Sequence, residues 1–262
     1  MIKYLRIYKT VWKVSLIADM SHRVNFFTRI FSGILYLLTG LGMYVFVYTK
    51  LDTLGGWSFG DMLIFLGTTF LVDLLWMTFF FFNLLGLPTL INKGEFDMLL
   101  LKPVNSQFLA VMGNVNLDSF FNSIIGVALV VYGVNLNNYS ISFIDVLLYI
   151  GLLVNGVLLF YSTFLMINCI AFWQTRFQFA WDLIEWFYEF AMRPDFIYKG
   201  GVRVVLTFII PALMLVNIPA KMLMDRFNFK EVGFGFLLTT LFFILSQWVW
   251  KKAISNYSSA SS

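Results

Sequence analysis

The stretch MLIFLGTTFLVDLLWMTFFFFNLLGLPTLIN, residues 62–92, holds a single charged residue, Asp73. About 20 consecutive apolar residues carry a helix across the hydrocarbon of a bilayer, so this stretch is long enough to cross and to emerge. The same pattern recurs on both sides of it. Ile30–Thr49 is uncharged, Pro103–Ile144 carries only Asp118, and Val146–Thr175 and Val232–Trp250 carry no charge at all. The whole 262-residue chain follows suit, with 60% hydrophobic, 19% aromatic and only 12% charged residues. Soluble domains have about 25% charged and about 45–50% apolar residues. The surplus apolar side chains need lipid as a second solvent. That excludes a soluble globular enzyme, a secreted disulfide scaffold and a disordered chain.

Catalytic raw material is scarce. Cys169 is the one cysteine, so neither an internal disulfide nor a CxxC metal site is available. His22 is the one histidine and lies among basic residues, which leaves little for histidine-based metal chemistry or a Ser/His/Asp triad. No P-loop, GxGxxG, HExxH or GxSxG motif occurs. GxxxG appears at Gly56–Gly60, in an expected loop. No metal site is expected. The net charge of +4 reads as a topology signal and not as a nucleic-acid footprint.

The basic residues are unevenly placed. Lys3, Arg6, Lys9 and Lys13 fall within a sector of roughly 120° on a helical wheel, opposite Leu5, Tyr8, Val11, Trp12 and Leu16. Residues 1–24 therefore read as an interfacial helix facing anionic headgroups, not as a cleavable signal peptide. Arg23 and Arg29 extend this basic end. The next loop, residues 49–60, has only Lys50; the loop after span two has Lys93 and Lys102; Asn135–Ser142 has none; and the C-terminal end has Lys251 and Lys252. Positive-inside counting predicts cytosolic termini. The sequon at Asn138 lies in an outside loop and is read as chance. Trp248 and Trp250 beside Lys251 read as an interfacial belt, and the run Phe79–Phe82 as lipid-facing packing.

Residues 176–231 admit two topologies. On a helix, Gln178, Asp182, Glu185, Glu189 and Arg193 share a narrow stripe of roughly 80°. In the first topology this helix lies flat on the cytoplasmic surface and Val204–Ala220 spans. Only Lys50, Lys221, Arg226 and Lys230 then remain outside, but the span is short and contains Pro211. In the second, 177–194 spans outward, and 200–228 forms a re-entrant segment broken at Pro211 and Pro219, with Arg193, Lys199 and Arg203 outside as well. Such a break must be buried in protein or line a wet cavity. These physical considerations leave the two nearly balanced.

One polar segment stands out between the second and third apolar stretches: LPTLINKGEFDMLLLKPVNSQFL, residues 87–109. Through Gly94, Glu95, Asp97, Leu101, Pro103, Asn105 and Phe108 it resembles the loop of type-2 permease subunits of ATP-binding-cassette exporters. The rest of the chain is similar to the subfamily related to viologen exporters: Tyr4–Lys9, Arg23–Phe26, Gly67–Asp73, Trp181–Phe190, Leu206–Pro211, Asn217–Ala220 and the tail Asn256–Ser261, where Ser259 and Ala260 match and Ser258 departs. The resemblance implies an all-α polytopic membrane protein of six transmembrane helices, at 25–48, 61–86, 107–134, 144–172, 177–194 and 232–252. It implies an interfacial elbow helix at 1–24, a cytoplasmic coupling helix within 88–105, and an extracellular re-entrant element at 200–228 between spans five and six, which favours the second topology.

By the same resemblance, Lys93, Gly94, Glu95, Phe96, Asp97 and Pro103 couple the chain to a cytosolic ATPase. The partners implied are two ATP-binding-cassette subunits, which bind the ATP and Mg, and a second permease, identical or homologous. The chain itself binds no cofactor and no nucleic acid. The implied setting is a bacterial cytoplasmic membrane.

The intramembrane acids are the remaining clue. A charge at the bilayer centre costs about 2.5–3.5 kcal/mol or more, so such residues face a bundle interior or an aqueous path. Asp73, Asp118, Asp182, Glu185 and Glu189, with Trp181 and Trp186, are expected to form a negative, aromatic cavity suited to a hydrophobic or cationic amphipathic substrate. The opposing reading keeps Asp73 and Asp118 as packing acids paired with asparagines. A rival function is a proton-coupled secondary transporter working through the same acids, although no internal repeat supports it.

Overall fold

The computed structural model describes residues 2–174 and 179–257, and among these every regular element is helical. In chain order they are α1 (Ile2–Ser21), α2 (Arg23–Tyr48), α3 (Phe59–Asn92), α4 (Phe96–Leu100), α5 (Ser106–Met112), α6 (Asp118–Leu136), α7 (Phe143–Phe172), α8 (Phe179–Ala191), α9 (Gly200–Ile209), α10 (Met214–Leu223) and α11 (Phe229–Ser255). Helices α2, α3, α6, α7 and α11 are each long and apolar enough to cross a membrane, and α9 with α10 forms a pair bent by 96°. The chain is a polytopic all-α membrane protein.

Local chemistry sets the helix starts. Ser58 and Asp61 form a reciprocal capping box at α3, and Ser142 and Asp145 repeat it at α7. Asn105 and Asn228 cap α5 and α11 through their side-chain oxygens.

Helix α3 is the hub. Its Trp76 is fully buried, with ring centroids 4.9 Å from Phe160 and 4.8 Å from Phe164 on α7. Helix α6 lies so close to α3 that only glycines fit the crossing. A Cβ on Gly67 would meet the Gly126 carbonyl at 2.5 Å, and one on Gly133 the Gly60 carbonyl at 2.6 Å. In lipid, where helices associate through close packing, small residues at the crossing play this part.

The expected span 107–134 is not one helix. It divides into α5 and α6 at residues 113–117. The freed backbone groups find partners on α3: Asn83 Nδ2 donates to the Asn114 carbonyl at 2.8 Å, and Asn114 N–H donates to Asn83 Oδ1 at 2.9 Å. The π-helical turn Met77–Phe81 in α3 lies beside this break, and its Thr78 carbonyl accepts from Asn116 N–H at 3.1 Å. Irregular backbone at this depth is tolerated because protein groups satisfy it.

Trp57 and Phe96 mark opposite ends of the bundle, since they flank the long α3. Phe172 packs on Phe96 at 5.2 Å, and Phe196 packs on Trp57 at 5.2 Å. The chain between Phe172 and Phe196, which includes α8, therefore joins the two ends. The bent pair begins and finishes at the Trp57 end: Arg203 on α9 and Lys221 on α10 both bind Asp195, and Arg226 donates to the Gly56 carbonyl at 2.8 Å. Between these ends the pair dips inward. A Cβ on Gly156 of α7 would lie 2.8 Å from the Leu215 carbonyl, and Gly156 sits about 20 Å along α7 from Phe143. Helix α11 then returns to Phe96 through Trp250.

Candidate functional site

The loop after α3 is built around a reversal and a plug. Lys93 ends the helix, and Gly94 adopts a left-handed φ of +72°, which a side chain would strain. The short α4 follows, and its first residue, Phe96, is wholly buried. The Phe96 ring lies 5.2 Å from Phe172 at the end of α7, 6.0 Å from Trp250 on α11 and 5.4 Å from Tyr257 beyond it. Phe172 in turn contacts Trp250 at 5.8 Å and Tyr257 at 5.7 Å. Burial, and then the neighbouring Asp97, push the Tyr257 phenol above its ordinary pKa. Four aromatic rings from four parts of the chain thus fasten α4 to the ends of α7 and α11.

The other face of α4 points away from the bundle. Lys93, Glu95, Lys102 and Pro103 are exposed, Asp97 is half-buried, and Met98 and Leu101 are exposed to 67% and 80%. A short helix that is apolar on both faces has one face in the core and another still uncovered. Two expectations shift here. Phe96 faces inward and is a plug, not a surface contact. Met98, which the sequence reading passed over, and Leu101, which it quoted only for the resemblance, are surface residues; their i, i+3 spacing opposite Phe96 was the available signal. The Pro103 carbonyl accepts from Lys3 Nζ at 2.6 Å, and Tyr4 packs on Phe108 at 5.1 Å, so the start of α1 clasps the end of this loop. Trp250, expected in an interfacial belt, belongs to the aromatic cluster, whereas Trp248 is exposed with Lys252 Nζ 5.1 Å from its ring centre. In the run Phe79–Phe82, Phe80 is buried and Phe82 is exposed.

The acids divide into two groups. On α8, Asp182, Glu185, Trp186 and Glu189 are exposed on one face, while Ile184, Phe187 and Ala191 are buried on the other. Phe187 packs 5.2 Å from Phe160, which fixes the rotation of the helix. The Trp181 side chain and Gln178 lie outside the described residues, as does the tail from Ser258. Glu189 and Arg193 form an exposed pair at 3.5 Å. Asp73 on α3 accepts a hydrogen bond from the Tyr188 hydroxyl of α8, so it adjoins the helix that carries the acidic face. Asp118 does not join them. It is the first residue of α6, 3.4 Å from Arg29, and Arg29 also binds Asp19 at 2.7 Å. An acid at a helix N-terminus beside an arginine is electrostatically satisfied, and this cluster ties α1, α2 and α6 together.

Two further polar centres at the Trp57 end escaped the sequence reading. Asp61, with no exposed surface, binds Asn137 Nδ2 at 2.9 Å, the Tyr139 hydroxyl at 2.7 Å and Arg226 at 3.2 Å. Burial, and then the hydrogen bond to Asp61, raise the pKa of Tyr139. Asp195 is the second, held by Arg203 at 2.6 Å and Lys221 at 2.5 Å, with its N–H donated to Asn217 Oδ1 at 2.8 Å. The Ser58-x-x-Asp61 spacing was the available signal for Asp61; none existed for Asp195. Among the described residues, no group of three or more His, Cys, Asp or Glu has the geometry to hold a metal.

Among known families, the model described as ABC-2 family transporter protein matches residues 34–261, a range that includes α3, the loop after it and α8. No curated protein and no solved structure gives a significant match.

Proposed function

This chain belongs to the ABC-2 family of transporter proteins, and from that premise we propose that it is the permease half of an ATP-driven exporter, coupled to its ATPase through α4. Family membership makes it a membrane subunit that works with an ATP-binding-cassette partner and carries no ATPase site of its own. ATP and Mg belong to that partner. The observation that carries the coupling reading is the two-faced α4. Met98 and Leu101 offer an uncovered apolar knob framed by Lys93, Glu95 and Lys102. Behind the knob, Phe96 is gripped by rings from α7 and α11. A push on the knob would move two spans as one body, because packed aromatic cores deform little.

The path of α8 from the Phe96 end to the Trp57 end supports reading it as a fifth crossing, with α9 and α10 as a re-entrant element before the sixth. The basic α1 beside the coupling loop favours cytosolic termini. Two such permeases, each with an ATPase, would enclose the path. The exposed face of Asp182, Glu185, Trp186 and Glu189, with Asp73 beside it, favours a hydrophobic or cationic amphipathic substrate through charge and cation–π contact. Asp118 is left out of that surface by its pairing with Arg29.

Charge reversal tests the coupling. Glu95→Lys is expected to lower substrate-stimulated ATPase activity of the purified complex while subunits still co-purify; unchanged ATPase activity and transport would overturn the proposal. The Asp73–Tyr188 pair favours one second reading, a proton-coupled transporter. Proteoliposomes separate the two: export driven by ATP without a pH gradient supports the first, and export driven by the gradient alone supports the second.

A further inference from the structure

A cavity of about 460 Å³ lies between the bent pair α9–α10 and the start of α11. Its walls are apolar, with Phe208 and Phe234 meeting edge to face at 5.0 Å and Ile218 beneath them. Its charged groups are three cations, Arg203, Lys221 and Lys230, against two carboxylates, Asp195 and Glu231. The buried Asp195 occupies Lys221 and one arm of Arg203, and Glu231 stands 4.0 Å from Lys221. Lys230 has no ion pair among the described residues, so the site keeps an excess positive charge. The flank beside it is greasy: Val202, Val204, Phe208 and Ile209 of α9 are all exposed. In a membrane protein such a surface suits hydrocarbon, and two of its residues, Val204 and Phe208, also line the cavity.

An apolar slot with a net-positive rim, beside a flank suited to hydrocarbon, fits an amphiphile with an anionic head. We propose that this cavity binds an anionic membrane lipid, its headgroup phosphate on Arg203 and Lys230 and one acyl chain along Phe208 and Phe234. A guanidinium matches phosphate geometry, and the excess charge would repel the choline of a zwitterionic lipid. The site is separate from the acidic face of α8, which carries the opposite charge. The inference goes beyond the transport reading and requires only that the chain sit in a bilayer.

The test uses the full-length protein in nanodiscs of equal phosphatidylglycerol and phosphatidylcholine, with retained lipid read by native mass spectrometry. Phosphatidylglycerol is expected to be enriched. Lys230→Gln, which breaks no ion pair in the described structure, is expected to weaken retention about fivefold, the effect of one cation near a membrane surface. Lys50→Gln, at the same end of the bundle, should leave retention unchanged. Phe234→Ser is expected to weaken it through the chain contact. Equal retention of the two lipids by the wild type, or unaltered enrichment in Lys230→Gln, would overturn the proposal. Displacement of the lipid by millimolar inorganic phosphate, with Phe234→Ser silent, would show a phosphate site and overturn it equally.

Discussion

Phe96 and Leu101 lie five positions apart on the same loop and are expected to fail in different ways. Truncating the buried Phe96 to alanine removes a ring held by three others, a change that typically costs about 3–5 kcal/mol in a packed core. Phe96→Ala should therefore lower the unfolding temperature and abolish substrate stimulation of the ATPase. Leu101→Asp should leave the unfolding temperature alone, since the side chain is 80% exposed, and should instead reduce co-purification of the ATPase subunit. Thermal unfolding and pull-down, run on both variants, check the pair. Neither role was legible from residue type. Both residues are apolar, and only their rotation about a short helix separates plug from knob.

At the scale of elements, the α3–α6 crossing and the α8 face make separate claims. The glycines at 67, 126 and 133 admit no side chain where the two helices touch, and a Cβ on Gly60 would run into the Asn137 side chain just beyond α6. Gly133→Leu is expected to abolish folded protein in detergent, judged by size-exclusion profile, whereas Gly40→Leu, with open space around it, should be tolerated. A search for GxxxG finds only Gly56–Gly60, of which Gly60 lies in α3 and not in a loop, and it misses the crossing itself, because the glycines there recur at seven residues in each helix. On α8, one helix presents acids outward and Phe187 inward, and the stripe was readable from helical period alone. Alanine at Asp182, Glu185 and Glu189 together is expected to reduce export of a cationic dye at least severalfold, with export of a neutral dye less affected. Equal export of the cationic dye by the variant and the wild type would remove the acidic face from the substrate path.

The whole molecule is arranged between two ends. At the Phe96 end, α1, the loop after α3 and the aromatic cluster meet; at the Trp57 end, Asp61 binds Arg226 beyond α10, and Asp195 binds Arg203 of α9 and Lys221 of α10. If α8 crosses, cysteines at Lys50 and Lys199 label from the same side of intact cells, and one at Lys93 labels only from the other. The native Cys169 is buried and should stay silent in this assay. Labelling of Lys199→Cys together with Lys93→Cys would return α8 to the cytoplasmic surface.

The sequence by itself determined the solvent, the apolar segments and the position of the polar loop between the second and third of them. Those properties are local: a run of uncharged residues, or a glycine amid charges, declares itself within a few turns, because each charge in hydrocarbon carries a cost of its own. Tertiary structure alone decided that Phe96 turns inward, that the helix breaks at 113–117, that Asp118 is paired with Arg29, and that the chain after Asp195 returns to the end from which it set out. Each of these depends on partners distant in sequence, such as Asn83 for Asn114 and Arg226 for Asp61. A buried polar group is stable only where such a partner completes it, and composition and period carry no record of which residue that partner will be.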